Sequence, residues 1–258
     1  MALLEVRDLT KYFGGLAAVD GLDFDVNDGE ILALIGPNGA GKSTVFNLIT
    51  SYLMLTRGAI VFQGRNIARL KTHQIARLGI VRTFQETNLY KEMSVLQNMM
   101  IAHHLRCRTN DWGHFFYTRQ EQEDMKDFNR SSLGILEYFE LLPHKDETVR
   151  NLPHGQLRTL EIAVGMAANP KLLLLDEPFT GLNEKETNRA VEMVRGLRDK
   201  GITIILVEHD MRAVMTISER IIALNFGKKI AEGEPAEIQH NDVVIEAYLG
   251  KEDEENGG

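Results

Sequence analysis

The sequence is short of three features, and each shortage excludes a class of protein. It has a single cysteine, Cys107, in 258 residues, which excludes an internal disulfide framework and suits a reducing compartment. Its most apolar runs, such as residues 31–35 and 172–175, fall far below the roughly 18 residues of a membrane-spanning helix. Lys and Arg number 29 against 37 Asp and Glu, a net charge of −8, which argues against nucleic-acid binding through bulk charge. The N-terminal residues also lack the basic and apolar blocks of a secretory signal, so composition predicts a soluble, intracellular protein.

Apolar runs of strand length alternate with amphipathic segments along most of the chain. Residues 22–26 alternate apolar and acidic side chains, which predicts a half-buried strand. Continuous apolar runs at 31–35, 172–175 and 202–207 predict strands that are buried on both faces. Helical patterns occupy residues 42–50, 156–168 and 184–200 between these strands. The order predicts an α/β fold with a mostly parallel sheet that helices cover on both faces.

The stretch from about 94 to 149 is different, because it is rich in charge and helix formers and has no buried-strand pattern. Leu133, Leu136, Phe139 and Leu142 recur at three-residue spacing, as in the apolar stripe of an amphipathic helix. We therefore expect an inserted helical subdomain. The acidic, glycine-ended tail at 251–258 is expected to be frayed.

A glycine-rich motif follows the first buried strand and opens a helix. It fits G-x-x-x-x-G-K-[ST], a loop whose backbone N–H groups surround phosphate oxygens at a helix N-terminus. In this motif Lys42 is expected to reach the β- and γ-phosphates of a nucleotide, and the Ser43 hydroxyl is expected to ligate Mg²⁺. The motif consists of Gly36, Pro37, Asn38, Gly39, Ala40, Gly41, Lys42, Ser43 and Thr44.

Polar side chains follow the other buried strands at the points where those strands end. Asp176 and Glu177 follow the second run, and His209 follows the third. Ligands of such sheets collect at the carboxyl ends of the strands, so these side chains should meet the phosphate loop. Asp176 is expected to support the Mg²⁺ shell, and Glu177 is placed to polarise an attacking water. Without the phosphate loop, the two carboxylates would more simply cap the next helix.

At this point the sequence resembles the ATP-binding subunits of ABC transporters, over nearly the whole chain. The elements that carry the resemblance occur in the order of that family: the phosphate loop, Thr83-Phe84-Gln85, Leu152-Pro153-His154-Gly155-Gln156, Leu175-Asp176-Glu177-Pro178, Gly181-Leu182-Asn183 and His209. The resemblance implies a P-loop NTPase core with a mostly parallel sheet, an N-terminal antiparallel β-subdomain and an inserted helical subdomain. The implied division is a core of residues 1–93 and 169–235, a helical lobe of 94–168, and a C-terminal helix and acidic tail of 236–258.

The resemblance also assigns roles to individual residues. Gln85 would be the glutamine that reaches Mg²⁺ and the attacking water, and His209 the histidine that donates to the γ-phosphate. Phe13 matches the aromatic that stacks on adenine, although core packing is the alternative for its ring and Tyr12 is a weaker candidate. His154, Gly155 and Gln156 would contact the ATP that is bound on a partner subunit. ATP and Mg²⁺ are the implied cofactors.

Two segments depart from the family pattern. The usual signature, L-S-G-G-Q, is replaced by L-P-H-G-Q, and Pro153 has neither a hydroxyl nor a backbone N–H to offer. Either the N–H groups of the following helix suffice, with His154 covering the phosphate, or this site hydrolyses weakly beside a better partner. We favour the first, because Lys42, Glu177 and His209 are all present. Asn183 stands where the family has aspartate and so keeps a polar group without the charge.

Several segments are similar to the branched-chain amino-acid importer subgroup, among them residues 13–19, 79–85, 95–100, 207–211 and 246–250. That resemblance implies a peripheral protein on the cytoplasmic face of the plasma membrane. Its partners would be a second ATPase subunit, identical or different, two membrane permeases and, indirectly, an extracytoplasmic binding protein. Nucleic acid is not an expected partner. Rival interpretations are the ATPase of lipopolysaccharide export, a weakly hydrolytic regulatory subunit, and a soluble ABC ATPase outside transport.

Overall fold

The structure is a computed structural model that describes residues 2–83, 89–103 and 119–255, with side chains for 2–83, 89–103 and 122–248. The predicted site residue Gln85 and the cysteine Cys107 lie outside these ranges. In the part of the chain described, no helix combines the length and apolarity that crossing a membrane requires.

An antiparallel sheet is formed by the N-terminal part of the chain. Its strands lie in the order β2-β1-β4-β5. The alternation of apolar and acidic side chains in β2 places Leu22, Phe24 and Val26 in the core, as the sequence predicted. The bounds are β1 Ala2–Phe13, β2 Leu16–Asn27, β4 Arg57–Phe62 and β5 Arg65–Asn66.

A second sheet carries the three strands with continuous apolar runs at its centre. Its order is β10-β9-β3-β8-β7-β6, and every neighbouring pair is parallel except β9 with β10. Each residue of β3, β7 and β8 is buried, which explains why these strands are continuously apolar rather than alternating. The predicted α/β fold is confirmed. The bounds are β3 Ile31–Ile35, β6 Ile80–Arg82, β7 Leu172–Asp176, β8 Thr203–Val207, β9 Arg220–Asn225 and β10 Lys228–Gly233.

Helices connect the strands and begin at side chains that suit a helix N-terminus. Ser94, Asn183 and Asp210 each accept a hydrogen bond from a backbone N–H of the first turn that follows. The predicted helices at 42–50, 156–168 and 184–200 are found within a few residues of their expected ends. The bounds are α1 Lys42–Ile49, α2 Thr72–Leu78, α3 Val95–Ala102, α4 Arg119–Tyr138, α5 His154–Ala167, α6 Glu184–Asp199, α7 Met211–Ile217, α8 Pro235–Gln239 and α9 Asp242–Glu255.

The expected helical stripe is only partly a helix. Leu136 and Phe139 are buried as predicted, but α4 ends at Tyr138. Glu140 adopts a left-handed φ of 57°, which stops the helix, and Leu142 starts a separate 3-10 turn. The stripe still packs against α3 and α5 in one apolar cluster with β7 and β8. The division of the chain at 94 and 168 stays a prediction.

The C-terminal helix extends into the acidic segment. α9 continues to Glu255, and the expected fraying of residues 251–258 stays a prediction. Its sequence after Tyr248 consists mainly of good helix formers, and Val244 and Tyr248 pack the preceding turns against the sheet. The Tyr248 hydroxyl also accepts a hydrogen bond, 2.8 Å long, from the backbone N–H of Gly36. The C-terminal helix thus contacts the entrance of the phosphate loop.

Candidate nucleotide site

The glycine-rich loop leaves the carboxyl end of β3 and turns directly into α1. Gly41 precedes the helix with a left-handed φ of 104°, and a Cβ there would lie 2.5 Å from the carbonyl oxygen of Ala18. A Cβ on Gly36 would lie 2.2 Å from the carbonyl oxygen of Leu224. Neither position has room for a side chain, because neighbouring backbone approaches from β2 and β9. The loop therefore needs glycine at both of its ends.

Lys42 lies across the inside of this loop. Lys42 is 6% exposed, and its Nζ donates hydrogen bonds to the carbonyl oxygens of Gly36 at 2.6 Å and Pro37 at 3.1 Å. Ser43 follows in the first turn of α1 with its side chain exposed, at the end where helix N–H groups favour anions. The Lys42 ammonium and the backbone N–H groups at the start of α1 lie at the same loop. Together they are suited to binding the phosphates of a nucleotide.

Asp176, at the end of β7, is held by an arginine that the sequence had not singled out. Its Oδ2 accepts a hydrogen bond of 2.6 Å from Nη2 of Arg82, and the side chains are 0% and 9% exposed. Nη1 of the same guanidinium bonds Oδ1 of Asn47 on α1. Oδ1 of Asp176 is buried with no hydrogen-bond partner among the described residues. Arg82 thus ties β6, β7 and the helix of the phosphate loop together.

Glu177 and His209 meet at the ends of neighbouring parallel strands. Nε2 of His209 lies 3.0 Å from Oε1 of Glu177, with both side chains partly exposed to the site. Glu177 has a left-handed φ of 49°, an uncommon conformation for a residue with a side chain. Its backbone N–H donates to the carbonyl oxygen of Val207 over 2.8 Å, which keeps the two strand ends adjacent.

A third acidic residue at this edge, Glu208, was not singled out by the sequence. It is 1% exposed and accepts hydrogen bonds from the backbone N–H groups of Phe179 and His209 at 2.6 Å and 2.9 Å. Burial raises the pKa of its carboxyl group, the backbone donors oppose that rise, and the charge of Glu177 adds to it. The sequence signal for Glu208 is the Glu-His-Asp run after a buried strand, and in that run the histidine is the candidate site residue.

The altered signature segment and the Gly181 segment are in contact within this chain. Pro153 precedes α5, and the ring of His154 packs so closely on Gly181 that a Cβ there would lie 2.7 Å from Cε1. Next to them, Glu186 and Asn183 exchange side-chain-to-backbone hydrogen bonds of 3.0 Å at the start of α6. Oε1 of Glu186 also lies 2.7 Å from the position of a Cβ on Gly155. Asn183 therefore acts here as a helix cap.

Gln156 and Phe13 occupy different surroundings. Nε2 of Gln156 lies 3.0 Å from Nε2 of His144, so its amide is held inside the helical region. Phe13 is 47% exposed at the end of β1, with Nζ of Lys11 5.1 Å from its ring centroid. That exposure disfavours the alternative of core packing for Phe13. Both assignments as nucleotide contacts stay predictions.

The fold and the phosphate loop together define a P-loop ATPase, and comparison with known proteins gives the family. A family model described as ABC transporter matches residues 19–180, and one described as branched-chain amino acid ATP-binding cassette transporter matches residues 228–254. The high-affinity branched-chain amino acid transport ATP-binding protein BraF of Pseudomonas aeruginosa is 41% identical over 96% of this chain and 98% of its own. The corresponding protein LivG of Escherichia coli K12 is 42% identical over the same shares.

Solved structures agree with these matches. A nucleotide-free ATP-binding cassette from an ABC transporter is 30% identical, with a TM-score of 0.85 over 96% of this chain and 99% of its own. An ATP-binding cassette of an ABC transporter in its ADP conformation is 31% identical, with a TM-score of 0.84 over 97% and 99%. The chain belongs to the ABC transporter family and is one of its ATP-binding ATPase cassettes.

Proposed function

We propose that this chain is the ATP-hydrolysing subunit of an ABC importer for branched-chain or other neutral amino acids. The observation that carries the proposal is the Glu177–His209 pair, which faces a complete phosphate loop on the same sheet edge. The amino-acid substrate class rests on the names of the relatives and on the family match of residues 228–254. Two such chains, or this chain and a different one, would enclose ATP beneath two permease subunits on the cytoplasmic membrane face.

The first task of the site is to bind the triphosphate. Lys42 would exchange its bonds to the loop carbonyl oxygens of Gly36 and Pro37 for phosphate oxygens, while the loop N–H groups surround the anion. Phe13 would stack on the base, and the exposure of its ring supports this role. The overall charge of −8 is no obstacle, because these donors act locally.

The residues present fit a magnesium ion. The buried Oδ1 of Asp176 has no hydrogen-bond partner among the described residues, and oxygen ligands of this kind suit Mg²⁺ through water. The Ser43 hydroxyl and, from its place in the sequence, Gln85 complete the proposed set of ligands. The ion would neutralise charge on the β- and γ-phosphates.

The second task is hydrolysis. Glu177 is partly exposed at the strand end and would accept a proton from an attacking water. His209 would turn its Nε2–H from Glu177 towards the γ-phosphate and stabilise the charge that develops there. Because the same imidazole nitrogen serves both partners, arrival of the nucleotide would free the Glu177 carboxylate to receive the water.

The altered signature also supports a place in a dimer. α5 begins directly after Pro153, and its first-turn N–H groups have no side-chain cap at that position. In the part of the chain that the structure describes no side chain caps them, and they would receive the γ-phosphate of ATP held by the partner subunit. We favour this over weak hydrolysis, since Lys42, Glu177 and His209 are in place around the chain's own site.

Purification under mild detergent and reconstitution test this proposal. The chain should co-purify with two membrane subunits, and proteoliposomes that contain the complex and its binding protein should take up leucine when ATP is supplied inside. A Lys42→Ala complex is the matched control and should assemble without transport. Recovery of this chain only as a free protein would contradict the importer function. ATP-dependent movement of a lipid instead of an amino acid would favour the lipid-export alternative.

A further inference from the structure

Glu208 is a deeply buried acidic residue at the edge of the sheet that carries the candidate site. It lies between His209 and the end of β8, is 1% exposed, and has no part in the phosphate contacts or the proton transfer described above. A carboxyl group buried this far loses its hydration, so the contacts that replace water indicate what holds it there. Those contacts are all backbone N–H groups of two loops.

The two oxygens of Glu208 bind different loops. Oε1 accepts the N–H of Phe179 at 2.6 Å, and Phe179 lies two residues after Glu177. Oε2 accepts the N–H of His209 at 2.9 Å and that of Asp210 at 3.4 Å. One side chain therefore joins the loop after β7 to the loop after β8.

The contacts of Glu208 lie just beyond the last hydrogen-bonded pair between β7 and β8. The ladder between β7 and β8 ends at the pair Asp176 and Val207, followed by the bond from the Glu177 N–H to the Val207 carbonyl oxygen. Beyond that point the two backbones diverge into α6 and α7, and Glu208 bridges them. Glu177 and His209, whose side chains lie 3.0 Å apart, stand on the two loops that this carboxyl group joins.

We propose that Glu208 is a positioning residue that holds Glu177 and His209 in the arrangement needed for ATP hydrolysis. This inference rests on the proposed function, because it assigns Glu208 to the same reaction. A carboxylate suits the role because it has two acceptor oxygens and, when ionised, no donor. A glutamine of the same size has one acceptor oxygen, and its NH₂ group would face an N–H donor of one loop.

The test uses the full-length chain in its assembled transporter, with Glu208→Gln as the main variant. We expect kcat for ATP hydrolysis to fall about 10- to 100-fold, as small misplacements of catalytic groups do. KM and nucleotide affinity should stay within about a factor of two, since Lys42 lies on another loop. Glu30→Gln is the matched control: Glu30 is also buried, 7% exposed, but pairs with Arg220 at the opposite end of β3.

A double-mutant cycle separates positioning from a general loss of structure. Because Glu208 is proposed to act in part through Glu177, Glu208→Gln should lower the residual rate of a Glu177→Gln complex by a smaller factor than it lowers the wild-type rate. Glu208→Asp, which keeps the carboxyl group on a shorter side chain, should give an intermediate kcat and covers the case in which Glu208→Gln does not fold.

Three results would overturn the inference. The first is a wild-type kcat in folded Glu208→Gln or Glu208→Asp, and the second is a fall of kcat in Glu30→Gln equal to that in Glu208→Gln. The third is a double variant whose loss of rate equals the product of the losses of the two single variants. Failure of the proposed function is distinguishable. In that case the wild-type complex itself would fail to take up amino acids or to hydrolyse ATP, whereas failure of this inference would appear only in the Glu208 variants.

Discussion

Nε2 of His209 lies 3.0 Å from Oε1 of Glu177, although the two residues are 32 positions apart in the sequence. They meet because β7 and β8 are parallel neighbours whose carboxyl ends lie side by side. The phosphate loop follows β3, which is the next strand along the same sheet. Glu177 as the proposed base, His209 as the proposed donor and the phosphate loop thus share one edge, which is the arrangement that phosphoryl transfer to water requires.

The ion pair between Arg82 and Asp176 should contribute much of the local stability in the absence of nucleotide. Arg82→Met would leave a buried carboxylate without its cation, and we expect a loss of about 3 kcal/mol or more in the free energy of unfolding. Mg²⁺ and ATP should restore part of the loss, because the cation would then compensate Asp176. Thermal and denaturant unfolding with and without Mg²⁺-ATP measures both effects.

Arg150→Met is the control for this prediction. Arg150 pairs with Glu92 at 2.9 Å, but their side chains are 60% and 77% exposed, so its removal should cost at most about 1 kcal/mol. Two results would contradict the account. One is equal destabilisation by the two variants, and the other is that Mg²⁺-ATP stabilises Arg82→Met no more than it stabilises the wild type.

His154 and Gly181 should be energetically coupled. Gly181→Ala places a Cβ 2.7 Å from Cε1 of His154 and in a left-handed conformation with φ of 80°. In a His154→Ala background the ring is gone, and the cost should fall towards the roughly 1–2 kcal/mol of the backbone conformation alone. A double-mutant cycle of unfolding free energies should give a coupling of about 0.5 kcal/mol or more. Strictly additive losses would show that the ring moves away at no cost.

Much of this architecture could be predicted from the sequence because the signals were local. The phosphate loop is a contiguous motif, and the buried strands β3, β7 and β8 are continuous apolar runs. Contacts that depend on register between distant segments could not be predicted in this way. Arg82 reaches Asp176 only because β6 pairs with β7, and Tyr248 reaches Gly36 across 212 positions.

The contact between Tyr248 and Gly36 should affect nucleotide binding. Burial raises the pKa of the Tyr248 hydroxyl, so the group stays protonated at neutral pH. Tyr248→Phe keeps the ring but leaves the Gly36 N–H without its acceptor, a loss of about 1–3 kcal/mol. We expect lower thermal stability and several-fold weaker ATP binding, measured by calorimetry.

Tyr52→Phe removes a hydroxyl from a residue that is 70% exposed and should leave both quantities unchanged. An ATP affinity of Tyr248→Phe equal to that of wild type would show that the C-terminal helix does not support the phosphate loop.

The most direct test of the central claim is the steady-state ATPase rate of the assembled complex with Glu177→Gln in this chain. The amide keeps the size of the side chain but cannot accept the proton of the attacking water, so turnover should fall about 100-fold or more. ATP should still bind, because Lys42 and its loop are untouched. A wild-type rate in this variant would contradict the account, and this chain would then be a nucleotide-binding partner rather than the main hydrolytic subunit.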